Sequence, residues 1–261
     1  MVKTKESVIT ELKHVELETP ILIEGLPGIG LIGKLGADHL ISELGAEKFA
    51  ELYSPHFIHQ GLVEPDSTIR PMRNELYYWK GKDLQLIILI GDAQPQPTDS
   101  YGHYEVVGAI LDYVEKFGVK TIFTLGGSST GGQEVKTPRV FGAATERELV
   151  EKYGKYDIIF KSDPGSAIVG ASGLLLALGR LRGMEGVCLL GESPGYLVID
   201  ARSAKSVLEV LTEILGISVD MSELEKRAQE TEKFIKKVQD MEKKQRLQQQ
   251  LRELGDFGYI R

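Results

Sequence analysis

Between residues 21 and 215, short apolar runs alternate with stretches of helical periodicity. The runs Ile21–Glu24, Phe57–Val63, Leu84–Ile90, Val119–Leu125, Asp157–Phe160 and Val187–Leu190 read as strands. Several are apolar nearly throughout, as strands covered on both faces are. The segments between them, Ile32–Leu44, Tyr101–Phe117, Thr145–Tyr153, Ala167–Leu181 and Ser203–Leu215, read as helices. This alternation predicts an α/β fold, a mostly parallel sheet with helices on both faces. Asn74–Asp83 interrupts it, because alternating aromatics and a turn at Gly81 predict an antiparallel strand or hairpin beside the strand at Leu84. Lys48-Phe-Ala-Glu-Leu52 reads as helix end or loop.

The pattern changes at Ile217. Met221–Leu254 contains no Gly or Pro and is crowded with Lys, Glu, Gln and Arg. Leu224, Ala228, Thr231, Ile235 and Val238 follow a four–three spacing that marks one apolar stripe; the pattern slips beyond Met241 and resumes at Leu247, Leu251 and Leu254. So narrow a stripe predicts a helix that packs its first half on the body or on another subunit and projects the rest. Gly255 ends it and leaves Asp256–Arg261 as a short free end. The chain thus divides into an α/β body, residues 1–217, and a charged C-terminal helix with a docking tail, residues 218–261. The stripe predicts a homo-oligomer, as do the small residues around Gly170–Gly179, which let helices approach closely.

Composition narrows the class. The 261 residues suffice for one large core, and 42% hydrophobic with 26% charged residues is the profile of a globular protein. No apolar run approaches the ~18–20 residues of a membrane span; the longest candidate is Ile168–Leu178. The polar start Met1-Val-Lys-Thr-Lys-Glu6 predicts no secretory leader. Cys188, the one cysteine, excludes an intrachain disulfide, so a reducing cytoplasm is expected. The net charge of −7 argues against nucleic acid as partner. From Met221 onward ten Lys and Arg face eight Asp and Glu, which leaves −9 on the body, but the signs alternate as on a solvated helix.

The sharpest local motif is Gly25-Leu-Pro-Gly-Ile-Gly-Leu-Ile-Gly-Lys34, between a strand and a helix. It contains Gly28-x-Gly30-x-x-Gly33, the form of dinucleotide-binding turns, whose glycines let the backbone approach a pyrophosphate. Leu35 stands where a phosphate-binding loop needs Ser or Thr for Mg²⁺, and Tyr53 stands where a dinucleotide site needs an acid, with Glu51 nearby. The competing reading is a tight turn whose glycines permit close packing. Gly126-Gly-Ser-Ser-Thr-Gly-Gly132 reads as a loop after a strand, with small hydroxyls and amides able to hold an anion, and Gly191-Glu-Ser-Pro-Gly-Tyr196 as another loop after a strand; plain connecting loops are the competing reading. Asp163-Pro-Gly-Ser-Ala167 reads as a turn capping the next helix. Asp92, Asp99 and Glu192 are expected to do no acid–base work, and His56 and His59 on an extended segment point to opposite faces. No catalytic residue, cofactor or metal site is expected from these patterns.

Three motifs in order, Glu24–Gly33, Gly91-Asp-Ala-Gln-Pro95 and Thr124-Leu-Gly-Gly127, resemble the proteasome assembly chaperone 2 family, its archaeal members above all. The resemblance covers residues 10–215. It implies a fold similar to the nucleoside phosphorylases without their catalytic residues, self-association, and binding to proteasome α-subunits through a C-terminal hydrophobic–Tyr–X motif. Here the last three residues are Tyr259, Ile260 and Arg261, so Tyr259 takes the hydrophobic slot and Ile260 the place of the tyrosine. The function implied is that of an assembly chaperone, or an activator, that docks its tail on the α-ring. The alternative is a nucleotide- or nucleoside-binding enzyme, of the kind labelled ATP-grasp, using Gly28–Gly33.

Overall fold

The computed structural model describes residues 5–160, 166–237 and Met241. In chain order the strands are β1 (Val8–Glu11), β2 (Ile21–Glu24), β3 (Glu47–Tyr53), β4 (Gly61–Val63), β5 (Ile69–Pro71), β6 (Asn74–Lys80), β7 (Gln85–Gly91), β8 (Thr121–Ser129), β9 (Val140–Ala144) and β10 (Glu185–Ser193). The helices are α1 (Ile32–Leu44), α2 (Ser100–Val114), α3 (Arg147–Tyr153), α4 (Ala171–Leu181), α5 (Ala201–Leu215) and α6 (222–237).

The apolar runs lie at the centre of an eight-stranded sheet of order β1-β3-β6-β7-β2-β8-β10-β9. β7, β2, β8 and β10 run parallel, while β1, β3 and β6 on one side and β9 on the other pair antiparallel. Why the central runs show no polar alternation is visible in β7. Ile87 and Leu89 face one core with Val106 and Ile110 of α2 and Leu175 of α4. Leu86 and Ile88 face the other with Ile32 and Leu40 of α1 and Val207 of α5. Side chains alternate in direction, but both directions are dry.

Several expectations need correction. β1, β3, β5 and β9 were not among the expected strands. Lys48–Leu52 belongs to β3, where a bulge between Lys48 and Ala50 breaks the alternation. Asp157–Phe160 forms no strand and contributes one isolated bridge, Phe141 to Ile159. Of Phe57–Val63 only Gly61–Val63 is extended, paired with β5 in a separate ribbon. His56 lies in a turn rather than on an extended segment. The helix expected from Ala167 begins at Ala171, and residues 161–165, the body of the Asp163–Ala167 turn, lie outside the described residues.

α6 packs on the body through Leu224, Ala228 and Ile235, all buried. Lys205 of α5 pairs with Glu225 at 2.5 Å, and the His39 Nε2–H of α1 donates to the Asp220 carbonyl at 2.7 Å. These stripe residues are covered by their own chain. The glycines of α4 are likewise used internally, since a Cβ on Gly179 would crowd Ile122. Val238, Leu247, Leu251, Leu254 and the end Tyr259-Ile260-Arg261 lie outside the described residues. Among the described residues no helix is long and apolar enough to cross a membrane.

Candidate functional site

In open α/β sheets, ligands bind at the carboxyl ends of the strands, where the chain switches from one side of the sheet to the other. Here that point lies between β2 and β8, at the loops after Glu24 and Ser129. The first glycine loop closes it. A Cβ on Gly33 would collide with the Leu125 carbonyl oxygen of β8, and one on Gly25 with the Gly33 carbonyl and Ala37. These glycines let α1 lie directly on the sheet. Gly30 has φ +60°, a left-handed turn that favours glycine. Its carbonyl accepts from Asp200 N at 2.9 Å, and Gly127 sits tightly against the Ile29 carbonyl. Gly25, Gly33 and Gly127 are thus taken up by packing within the protein, while Gly28 is exposed, with nothing within 4 Å of a Cβ there.

Topology removes the dinucleotide pattern as well. The strand that follows α1 is β3, and β6 and β7 stand between it and β2. Tyr53 and Glu51 are therefore remote from the glycine turn. Glu51 is instead paired with Lys48 at 2.6 Å and Arg73 at 3.2 Å.

The expected anion loops are also committed. Gly126–Ser129 continues β8 and pairs with Leu190–Ser193 of β10, so neither segment is a loop. Beyond the strand, Thr130 N donates to the Ser193 carbonyl, Gly132 N to the Pro194 carbonyl and Gly131 N to Ser129 Oγ. The acidic side chains nearby are engaged too. Asp92 holds Arg70 at 2.5 Å, and Glu192 holds Arg139 at 2.5 Å. Asp99 caps α2 through Gly102 N and meets His56 Nδ1 at 2.7 Å. The members of that last pair are 43 residues apart in the chain, so only the fold brings them together.

Beneath the glycine loop lies a buried polar clasp. Glu24, wholly buried, accepts from Leu26 N at 2.9 Å and from Ser172 Oγ at 2.9 Å. Gln94 reaches across beside it, donating to the Pro27 carbonyl and accepting from Ala171 N, each at 2.8 Å. Burial pushes the Glu24 carboxyl up to about 7 against the lowering effect of its two hydrogen bonds. Burial likewise pushes the Cys188 thiol up to about 12, which leaves it protonated and inert. The clasp joins the β2–α1 loop, the β7–α2 loop and the start of α4. Its centre, Glu24, is fully buried, while Gln94 and Ser172 are partly exposed. Among the described residues no group of three or more His, Cys, Asp or Glu could hold a metal ion.

The open surface is elsewhere. A groove of about 1180 Å³ runs between α6 and the turn from β10 to α5, lined by Leu35, Tyr196, Val198, Ile199, Thr231 and Phe234. Only Tyr196 of that turn was noticed in the sequence, as the end of a glycine loop. The legible signal was Tyr196-Leu-Val-Ile199, four apolar residues in a row outside any regular element.

The chain is 51% identical to Pyrococcus furiosus PbaB, an archaeal proteasome activator, with a TM-score of 0.87 over 90% of this chain and 100% of that one. It is 26% identical to Pyrococcus furiosus PbaA, an archaeal homolog of proteasome-assembly chaperone, with a TM-score of 0.73 over 98% and 100% of the two chains. It is also 42% identical to the uncharacterized protein MJ1210 of Methanocaldococcus jannaschii, over 90% of this chain and 89% of that protein. The model of the PAC2 family matches residues 22–239, and this chain belongs to that family.

Proposed function

We propose that this protein is a cytoplasmic proteasome-binding factor, an assembly chaperone or activator, that docks its C-terminal end on the proteasome α-subunits as a homo-oligomer. The observation that carries the reading is the 51% identity, over 90% of the chain, to an archaeal proteasome activator. Its docking residues are Tyr259, Ile260 and Arg261: two apolar side chains for a pocket and a terminal carboxylate for a cationic partner. The body of residues 1–217 is then the platform and residues 218–261 the docking arm. The nucleoside-phosphorylase kinship of the body belongs to the same proposal. A nucleotide-binding enzyme is disfavoured by the crevice, where Gly33 and Gly127 are packed against carbonyl groups.

Several copies matter for affinity. One terminal tripeptide buries ~150–250 Å² and binds weakly alone. Several tethered ends raise avidity by ~10²–10⁴ when their spacing matches the pockets. Pull-down with proteasome α-rings tests the proposal. Deleting Tyr259–Arg261 should abolish capture while oligomer mass and melting temperature stay as they were. Equal capture of the truncated chain refutes docking through the tail.

A further inference from the structure

The segment between β3 and β6 builds a surface that the described residues leave bare. β3 is antiparallel to β6 and β6 to β7, so β3 ends at the same edge of the sheet as β7, β2, β8 and β10. The ribbon of β4 and β5, which follows β3, therefore stands at the carboxyl end of the central strands. Its register puts Leu62 opposite Arg70 and Val63 opposite Ile69. Side chains alternate along each strand, so the two pairs point to opposite faces. Arg70 ties one face to the body through Asp92 Oδ2 at 2.5 Å. The other face carries Val63 and Ile69, 69% and 75% exposed, next to the exposed Gly61 and Pro71. The tip is held in shape as well. Glu64 N donates to the Thr68 carbonyl, Ser67 N to the Glu64 carbonyl, and Thr68 N and Oγ1 to Asp66 Oδ1. A partner that meets so ordered a ribbon loses little chain entropy on binding.

α6 reaches the same edge. Its approach begins at Asp220, bonded to His39 and Glu43 in the second half of α1. Phe234 and Ile235, near its described end, lie by Leu35 at the start of α1 and Ile199 beyond the end of β10. β6 and β8 stand three strands apart, ~15 Å at ~4.8 Å per strand. A partner seated at this edge by the C-terminal arm thus also faces the ribbon. Two bare aliphatic side chains fall far short of the ~800 Å² that one side of a free-standing interface covers. They suit a second contact with a partner already held elsewhere, where tethering multiplies a weak affinity. Arg70, the ribbon's one cation, is turned inward to Glu64 and Asp92, which leaves the Asp66 carboxylate as the charge at the tip. The complement of this surface is an apolar patch beside a Lys or Arg.

We propose that the β4–β5 ribbon is a second docking point on the proteasome α-subunits, seating Val63 and Ile69 on an apolar patch flanked by a basic side chain. The proposal rests on the docking of the C-terminal end and adds the contact that fixes how the body sits once the tail is bound.

Capture of α-rings by the full chain, and by Val63→Asp and Ile69→Asp separately, tests it. Both positions are exposed, so melting temperature and particle mass should match the parent. Each variant should lose about tenfold in affinity, and Asp66→Lys about threefold at low salt. A photocrosslinker in place of Ile69 should join the chain to an α-subunit. Variants that bind as the parent does would overturn the proposal. So would a crosslink to a second copy of this chain, or a mass lowered by either aspartate, because the ribbon would then be a self-contact. A parent that captures no α-rings refutes the docking reading and the ribbon with it. A parent that captures them, with ribbon variants that do so equally, refutes the ribbon alone. Loss at the ribbon, with equal capture after deletion of Tyr259–Arg261, would keep the ribbon and discard the tail.

Discussion

Glu24→Gln should abolish one specific component of the pH dependence of stability. The native carboxyl is wholly buried, with Leu26 N and Ser172 Oγ as its hydrogen-bond donors and, among the described residues, no cation paired with it. Burial lifts it from 4.5 to about 7. Between those values the folded protein holds a proton that the unfolded chain has released, so stability falls as pH rises. The contribution is whole below about 4.5 and is lost as pH climbs through about 7. At about 1.4 kcal/mol for each tenfold change in proton affinity, the loss is about 3 kcal/mol. Glutamine has the same shape and can accept from Leu26 N and donate to Ser172 Oγ, but it does not titrate. Urea denaturation of both proteins from pH 5 to 8.5 measures the difference. It should grow in favour of glutamine by about 2.5 kcal/mol as pH rises from 5 through 7, and level off by pH 8.5. Groups common to both proteins cancel. Glu192, held below the usual range by its hydrogen bond with Arg139, weakens the fold only on acidification. A difference that stays flat across the range would show that Glu24 is ionised or solvated in the folded state.

Three other outcomes follow from the packing. Gly33→Ala should destabilise by about 2 kcal/mol or more, because its Cβ meets backbone, whereas Gly28→Ala, with nothing within 4 Å, should cost less than about 1 kcal/mol; equal effects in chemical denaturation would count against close packing of α1 on β8. Leu224→Ala should cost about 2–4 kcal/mol, since Leu224 is 1% exposed, and an unchanged unfolding midpoint would mean that α6 is not docked. Tyr259→Ala should reduce α-ring capture more than Phe257→Ala, and a purification tag appended after Arg261 should reduce it as strongly by moving the carboxylate; indifference to both changes speaks against a terminal docking motif.

The central strands and five helices were legible because their burial is simple. β2, β7, β8 and β10 are covered on both faces, and apart from Thr124 nothing polar interrupts their runs except at the ends. β3 was hidden for the opposite reason. Glu51 is buried in it but neutralised by Lys48 and Arg73, two residues whose placement depends on the bulge and on β6. β9 was hidden because Gly142, Ala143 and Ala144 look like a weak segment, yet Gly142 is needed where Ile158 and Phe160 press on the backbone. At the site, the glycine turn showed its shape but not its use. Whether such a loop cradles a phosphate or a helix depends on which strand stands beside it, and β8 comes about 90 residues later in the chain. The groove was missed because Tyr196–Ile199 and Phe234 meet only in three dimensions.

The attachment of α6 also determines how the protein would behave under load. Leu224 and the Lys205–Glu225 pair hold the near end of the helix, while Ala228 and Ile235 follow toward the far end. A pull on the C-terminus would therefore peel α6 from Ile235 inward, breaking contacts one after another, instead of shearing them together. Each step releases more chain before the sheet feels any force. Stretched at ~3.3 Å per residue against ~1.5 Å in the helix, the 16 residues of 222–237 give roughly 30 Å of slack. The arm thus works as a compliant tether. A body anchored to a moving or growing partner can drift by that distance while its central sheet stays folded.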